Sequence, residues 1–156
     1  MIPKYIDIRD RKQLNELLSA LQPGTPALWG KLQAQNMIEH LIEAVEYTNG
    51  KKIAELIYGP GEAMTQKKMA VYGDFIIPHG VKGHLSDAMQ NTRFKDLPTA
   101  IEELNKEMNA FENYFAPEGT TAVHQAFGPM DCNEWVIWYG KHFTHHFIQF
   151  GLLPTD

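Results

Sequence analysis

Seven of the 156 residues are histidine, and two of them, His142 and His146, stand four apart in the aromatic stretch EWVIWYGKHFTHHFIQF. On a helix, side chains four apart are neighbours, with Cβ atoms about 5–6 Å from one another. Two imidazoles at that spacing can reach one metal ion, since neutral imidazole nitrogen is a good donor to zinc, nickel or iron. At ~100° per residue, Trp135, His142, His146, Gln149 and Leu153 fall within about 40° of one direction, with Trp138 and Tyr139 at its edges. Ile137, Gly140 and Thr144 lie on the far side. The histidines therefore face an interior, where buried imidazoles need partners. Spacing alone is equally compatible with two core histidines that each hydrogen-bond a neighbour.

His40 adds a third imidazole. It borders the apolar stripe Met37, Ile38, Leu41, Ile42 and Val45 of another helical segment, and a bundle could bring it opposite His142 and His146. Three imidazoles with an open coordination position are the usual form of a reactive metal site, because a closed structural site takes a fourth protein ligand. A position for His40 in the core without metal also fits its spacing.

Gln149, three after His146 on the same face, suits orienting a ligand or a bound water, or packing at the helix end. Trp138 and Tyr139 are candidates to line a substrate pocket, as is Trp29, although aromatics on a helix stripe also serve as core. Glu39 precedes His40 and would make a general base beside a metal. Adjacent helical residues point about 100° apart, and the expectation is a solvated Glu39. His145 is expected at the surface, and His79, His84 and His124 in loops. Cys132 opens a helix, where a thiol pKa is lowered, but ten residues, about 15 Å of rise, separate it from His142.

Four long helices must position this set. In DRKQLNELLSALQ, Leu14, Leu17, Leu18 and Leu21 recur with helical period behind an Asp10–Gln13 capping box. A second helix is expected from about Gln33 to Tyr47, stopped by Asn49-Gly50. Residues 51–95 form a long irregular connection, with KKIAELIY and EAMTQKKMAVY as short helices divided by Gly59-Pro60-Gly61. The third long helix takes Pro98 in its first turn and carries Ile101, Leu104, Met108, Phe111 and Phe115 on one face. A loop, GTTAVHQAFGPM, leads to the fourth, capped by Asp131 and Glu134 and running to about Gly151. With almost no alternating pattern, these elements predict an all-α, four-helix bundle in one domain over 1–156.

Composition narrows the function. Apolar residues make up 44% and the formal net charge is −5, which argues for a folded core and against broad nucleic-acid binding. One cysteine cannot form an internal disulfide, so a cytoplasmic location is the default expectation. No apolar run approaches the ~20 residues that span a bilayer, and the start MIPKYIDIRDRKQL turns charged too early for a signal peptide.

WGKLQAQNMIEHL, ending at His40, together with FGPMDCNEWVIWYGKHFTHHFIQFG, resembles the DinB-like superfamily, in a branch with the ending FGP…W…KH…HH…QFG. The resemblance implies a four-helix bundle whose three histidines, here His40, His142 and His146, bind a divalent metal. It also implies a homodimer, and a metal-dependent hydrolase or thiol-dependent transferase acting on a small molecule. A non-catalytic metal- or ligand-binding bundle is the alternative. Many relatives carry Ser or Thr before the AQ of the second helix; here Gln33 stands there, a poorer cap.

Overall fold

The protein is described by a computed structural model covering residues 5–80 and 91–155. Those residues form five α-helices and one two-stranded antiparallel sheet, so the chain is mostly helical.

Helix α1 spans Arg11–Ser19, with the Asp10 side chain accepting from Gln13 N at 3.1 Å. Leu14 and Leu18 are buried on its inner face. Helix α2 spans Ala34–Glu46 and begins behind Gln33, whose side chain makes no capping bond. Met37, Ile38, Leu41, Ile42 and Val45 are completely enclosed. The chain leaves α2 through Gly50, whose φ of +87° lies in the left-handed region that glycine adopts without a Cβ clash.

Residues 51–58 correct the expected short helix: the segment is irregular, and Ile57 N donates to Gln125 O at 2.9 Å. Ile53 and Ile57 share a helical spacing but both point outward, so a helix here would have no apolar face to bury. Gly59-Pro60 starts a helix rather than ending one. Gly59 is the extended N-cap and Pro60 opens α3, Pro60–Lys67, where the missing proline N–H costs nothing. A π-helical turn, Lys68–Tyr72, continues it. The Lys141 ammonium donates to Ala70 O and Gly73 O, each at 2.8 Å, and so satisfies carbonyls at its end.

Helix α4, Leu97–Tyr114, is capped by Asp96, which accepts from Thr99 N at 2.9 Å. Its Ala100, Leu104, Met108 and Phe111 pack into the core against α2. Arg11 ties α1 to this helix by donating to Asn109 Oδ1 and Asn105 Oδ1 at 2.8 and 2.7 Å.

The expected loop before the last helix contains a hairpin, β1 (Ala122–His124) and β2 (Gly128–Met130), paired Ala122↔Met130. Three-residue strands, one holding Pro129, are too short to show an alternating pattern. The Trp135 indole donates to Ala122 O at 3.0 Å and fastens the hairpin to the last helix.

Helix α5, Cys132–Gln149, has both halves of its capping box, Glu134 N to Asp131 Oδ1 at 2.9 Å and Asp131 N to Glu134 Oε1 at 3.1 Å. It ends in a Schellman motif: Leu152 N donates to Phe147 O and Gly151 N to Ile148 O, at 2.7 and 3.0 Å, with Gly151 at φ +70°. The side bearing Gly140 and Thr144 is covered as well. Ile6 N donates to Thr144 Oγ1 at 2.9 Å, and a Cβ on Gly140 would meet Ile6 O at 2.5 Å. Helix α5 is thus enclosed nearly all round, which explains its weak amphipathic contrast. Among the described residues no helix is long and apolar enough to cross a membrane.

Candidate metal centre

Helices α2 and α5 bring His40, His142 and His146 to one point. Their candidate donor atoms all lie within 4.8 Å of one another. His40 Nε2 stands 3.1 Å from His142 Nε2, which stands 3.2 Å from His146 Nε2. His146 is buried and the other two are half-buried.

Gln149 sets the protonation pattern. Its Nε2 donates to Trp29 O at 3.0 Å, so its Oε1 must be the atom facing His146 Nδ1 at 2.8 Å. An amide oxygen only accepts, and the proton of neutral His146 therefore sits on Nδ1. The Nε2 lone pair is left pointing at His142. His142 and His146 are both held in the neutral form below the ordinary imidazole range. Burial is the main cause, with neighbouring imidazoles adding to it: His142 is held well below the usual imidazole range, and His146 is held down to about 3.

This arrangement fits a cation better than it fits protons. A proton on His142 Nε2 can be aimed at His146 or at His40, not well at both. A metal ion could accept all three lone pairs together. Ligands about 2.0–2.1 Å from a tetrahedral zinc stand about 3.3 Å apart, close to the His40–His142 and His142–His146 separations, while the third pair lies within 4.8 Å. The donor set also matches zinc, nickel or iron by type.

Trp138 borders the centre, its ring centroid 6.4 Å from His142 and 4.9 Å from Phe127. Tyr139 is enclosed in the core, and its hydroxyl donates to Ala44 O at 2.7 Å and meets Thr48 Oγ1 at 2.9 Å. Gln149 is buried beside His146. Glu39 corrects the expectation of a solvated residue: it is fully enclosed. Its carboxylate accepts from Arg93 N, Phe94 N and Gln35 Nε2 at 2.7, 3.1 and 3.0 Å. It anchors the approach to α4, and those bonds commit both oxygens away from a general-base role.

His145 is half-buried rather than superficial, its ring 5.6 Å from Trp29, with burial lowering its pKa. His79 stacks flat on Trp29 at 3.6 Å between centroids. His124 closes the hairpin turn, Nδ1 accepting from Ala126 N at 3.0 Å, and stacks on Phe127. His84 lies outside the described residues. Cys132 has its thiol pKa raised by burial, the reverse of activation. The Trp29–His79 stack and the Gln149–Trp29 bond carry no sequence signal, because residues 29, 79 and 149 are distant in the chain.

No protein-family model matches the chain, and neither curated proteins nor solved structures include a significant match.

Proposed function

We propose that His40, His142 and His146 hold one divalent ion, zinc, nickel or iron, and that the protein is a metal-dependent enzyme acting on a small molecule. The observation that carries this reading is the convergence of three ring nitrogens on one point. The resemblance of the two histidine motifs to the DinB-like superfamily supports it. So do the four helices α1, α2, α4 and α5, read as that family's bundle with α3 and the hairpin between them.

A divalent ion at this point supplies a Lewis acid that lowers the pKa of a bound water or thiol. The chain's own groups define what reaches it. Imidazole binds a metal through a neutral ring nitrogen. Three neutral ligands leave the ion's double charge uncompensated, which favours an anionic donor such as a thiolate or hydroxide. Trp138, Phe127 and His124 give the surroundings an aromatic character suited to an apolar substrate body. Hydrolysis and thiol transfer are the two reactions this supports. We further propose a homodimer, each protomer with its own centre.

The test is a screen of zinc-, nickel- and iron-loaded protein for hydrolysis of activated esters and amides, and for conjugation of small thiols to electrophiles. Turnover that depends on metal and is lost in His142→Ala supports the enzyme. Tight metal binding without turnover in either screen favours a binding protein.

A further inference from the structure

Gln149 occupies a junction between the metal centre and two other parts of the chain. Its Oε1 faces His146 Nδ1 at 2.8 Å, and its Nε2 donates to Trp29 O at 3.0 Å. Its own carbonyl accepts from Leu28 N at 2.7 Å, so side chain and backbone grip one turn from both sides. That turn is tight: Gly30 has φ +79°, and a Cβ there would stand 3.1 Å from Gln149 Nε2. Trp29 in turn carries His79, stacked on it with 7° between the ring planes. His145, one residue from His146 and 5.6 Å from Trp29, packs against the same pair. An aromatic stack is thus registered to a ligand by one amide.

We propose that Gln149 is a positioning residue with two separable tasks: it fixes the His146 tautomer that presents Nε2 to the metal, and it holds the Trp29–His79 stack in register with that ligand. The proposal rests on the reading of His40, His142 and His146 as a metal centre. The two tasks use different atoms. The acceptor Oε1 fixes the tautomer, and the donor Nε2 holds the stack. Partners of this kind, hydrogen-bonded to a ligand's second ring nitrogen, commonly change metal affinity by 10–100-fold.

Three variants separate the tasks. Gln149→Leu removes both. Gln149→Glu keeps an acceptor for His146 Nδ1–H but cannot donate to Trp29 O when ionised. Gly30→Ala crowds the amide from outside and touches no ligand. Zinc affinity is measured by competition with a chromophoric chelator. The His146 tautomer is read by nitrogen-15 NMR of metal-free protein. The Trp29 environment is read by fluorine NMR of 5-fluorotryptophan protein, its signal assigned with Trp29→Phe.

The expected results are a single Nδ1–H tautomer in the wild type and a mixture in Gln149→Leu, with zinc affinity falling about 10–100-fold in Gln149→Leu. Gln149→Glu retains the tautomer and wild-type or tighter affinity, yet moves the Trp29 signal. Gly30→Ala weakens zinc several-fold. Should Gln149→Leu fail to fold, the other two variants carry the test. An Nε2–H tautomer in the wild type, or zinc affinity unchanged in both Gln149→Leu and Gly30→Ala, overturns the proposal. If the wild type binds no zinc, the metal reading fails, while the tautomer and fluorine signals of metal-free protein still decide the role of Gln149.

Discussion

Nε2 of His40 and Nε2 of His142 meet at 3.1 Å although 102 positions separate them in the chain. The contact exists because α2 and α5 share one core: Tyr139, three residues before His142, donates to Ala44 O, four residues after His40, at 2.7 Å. The hydroxyl bond and the imidazole contact lie about one helical turn apart and hold the two helices in a single register.

That register makes Tyr139 a structural test. Tyr139→Phe removes bonds to Ala44 O and Thr48 Oγ1 in a fully enclosed place. The expected loss is about 1–3 kcal/mol, read by urea unfolding of metal-free protein. Metal stoichiometry stays at the wild-type value.

Stability of the metal-free protein falls as the solution is acidified. His146 has a folded-state pKa near 3 and His142 one well below the ordinary 6.5. Between about pH 6.5 and those values the unfolded chain binds more protons than the folded one. The stabilisation is therefore full above pH 6.5 and is lost as pH falls. Each such histidine contributes a slope of up to about 1.4 kcal/mol per pH unit. Urea unfolding of the wild type and of His146→Gln, at pH 7.5 and pH 5, isolates the His146 share. Equal slopes in the two proteins would contradict the assignment.

Glu39→Gln separates neighbourhood from chemistry. The change puts an amide N–H2 where the carboxylate accepts from Arg93 N and Phe94 N. We expect about 1–3 kcal/mol of destabilisation. Metal content and any metal-dependent rate per folded molecule stay unchanged, as seen by elemental analysis and the turnover screen. A selective loss of rate in folded protein would restore Glu39 as a base.

How much of this was legible in the sequence depends on how far apart the interacting residues are. The α1, α4 and α5 caps at Asp10, Asp96 and Asp131 are local hydrogen bonds; spacing three apart marks those at Asp10 and Asp131, although only the Asp131–Glu134 pair closes both halves of a capping box. The apolar stripes of α1, α2 and α4 follow the helical period and were equally readable. The pairing of His142 with His146 is local, whereas their meeting with His40 required an assumption about helix packing that the structure bears out. Residues 51–58 misled because Ile53 and Ile57 mimic a helix face that nothing covers. Glu39 misled because its partners are the backbone N–H groups of Arg93 and Phe94, which no side-chain pattern announces.

The proposed homodimer has a direct check. One chain has a mass of 17.8 kDa. Light scattering across a concentration series is expected to give twice that value at tens of micromolar. Ile137 and Ile148, apolar positions of α5 outside the histidine stripe, are half-buried within the protomer. A mass of one chain throughout the series would remove the dimer.

Three histidines that share one ion must lose it together. Tag-free protein, dialysed against a trace mixture of zinc, nickel and iron salts at neutral pH, would be measured by elemental analysis alongside His40→Ala, His142→Ala and His146→Ala. The expected result is about one equivalent of divalent metal per chain in the wild type, and loss of most of it in each folded variant. Full stoichiometry in all three variants, or none in the wild type, would contradict it.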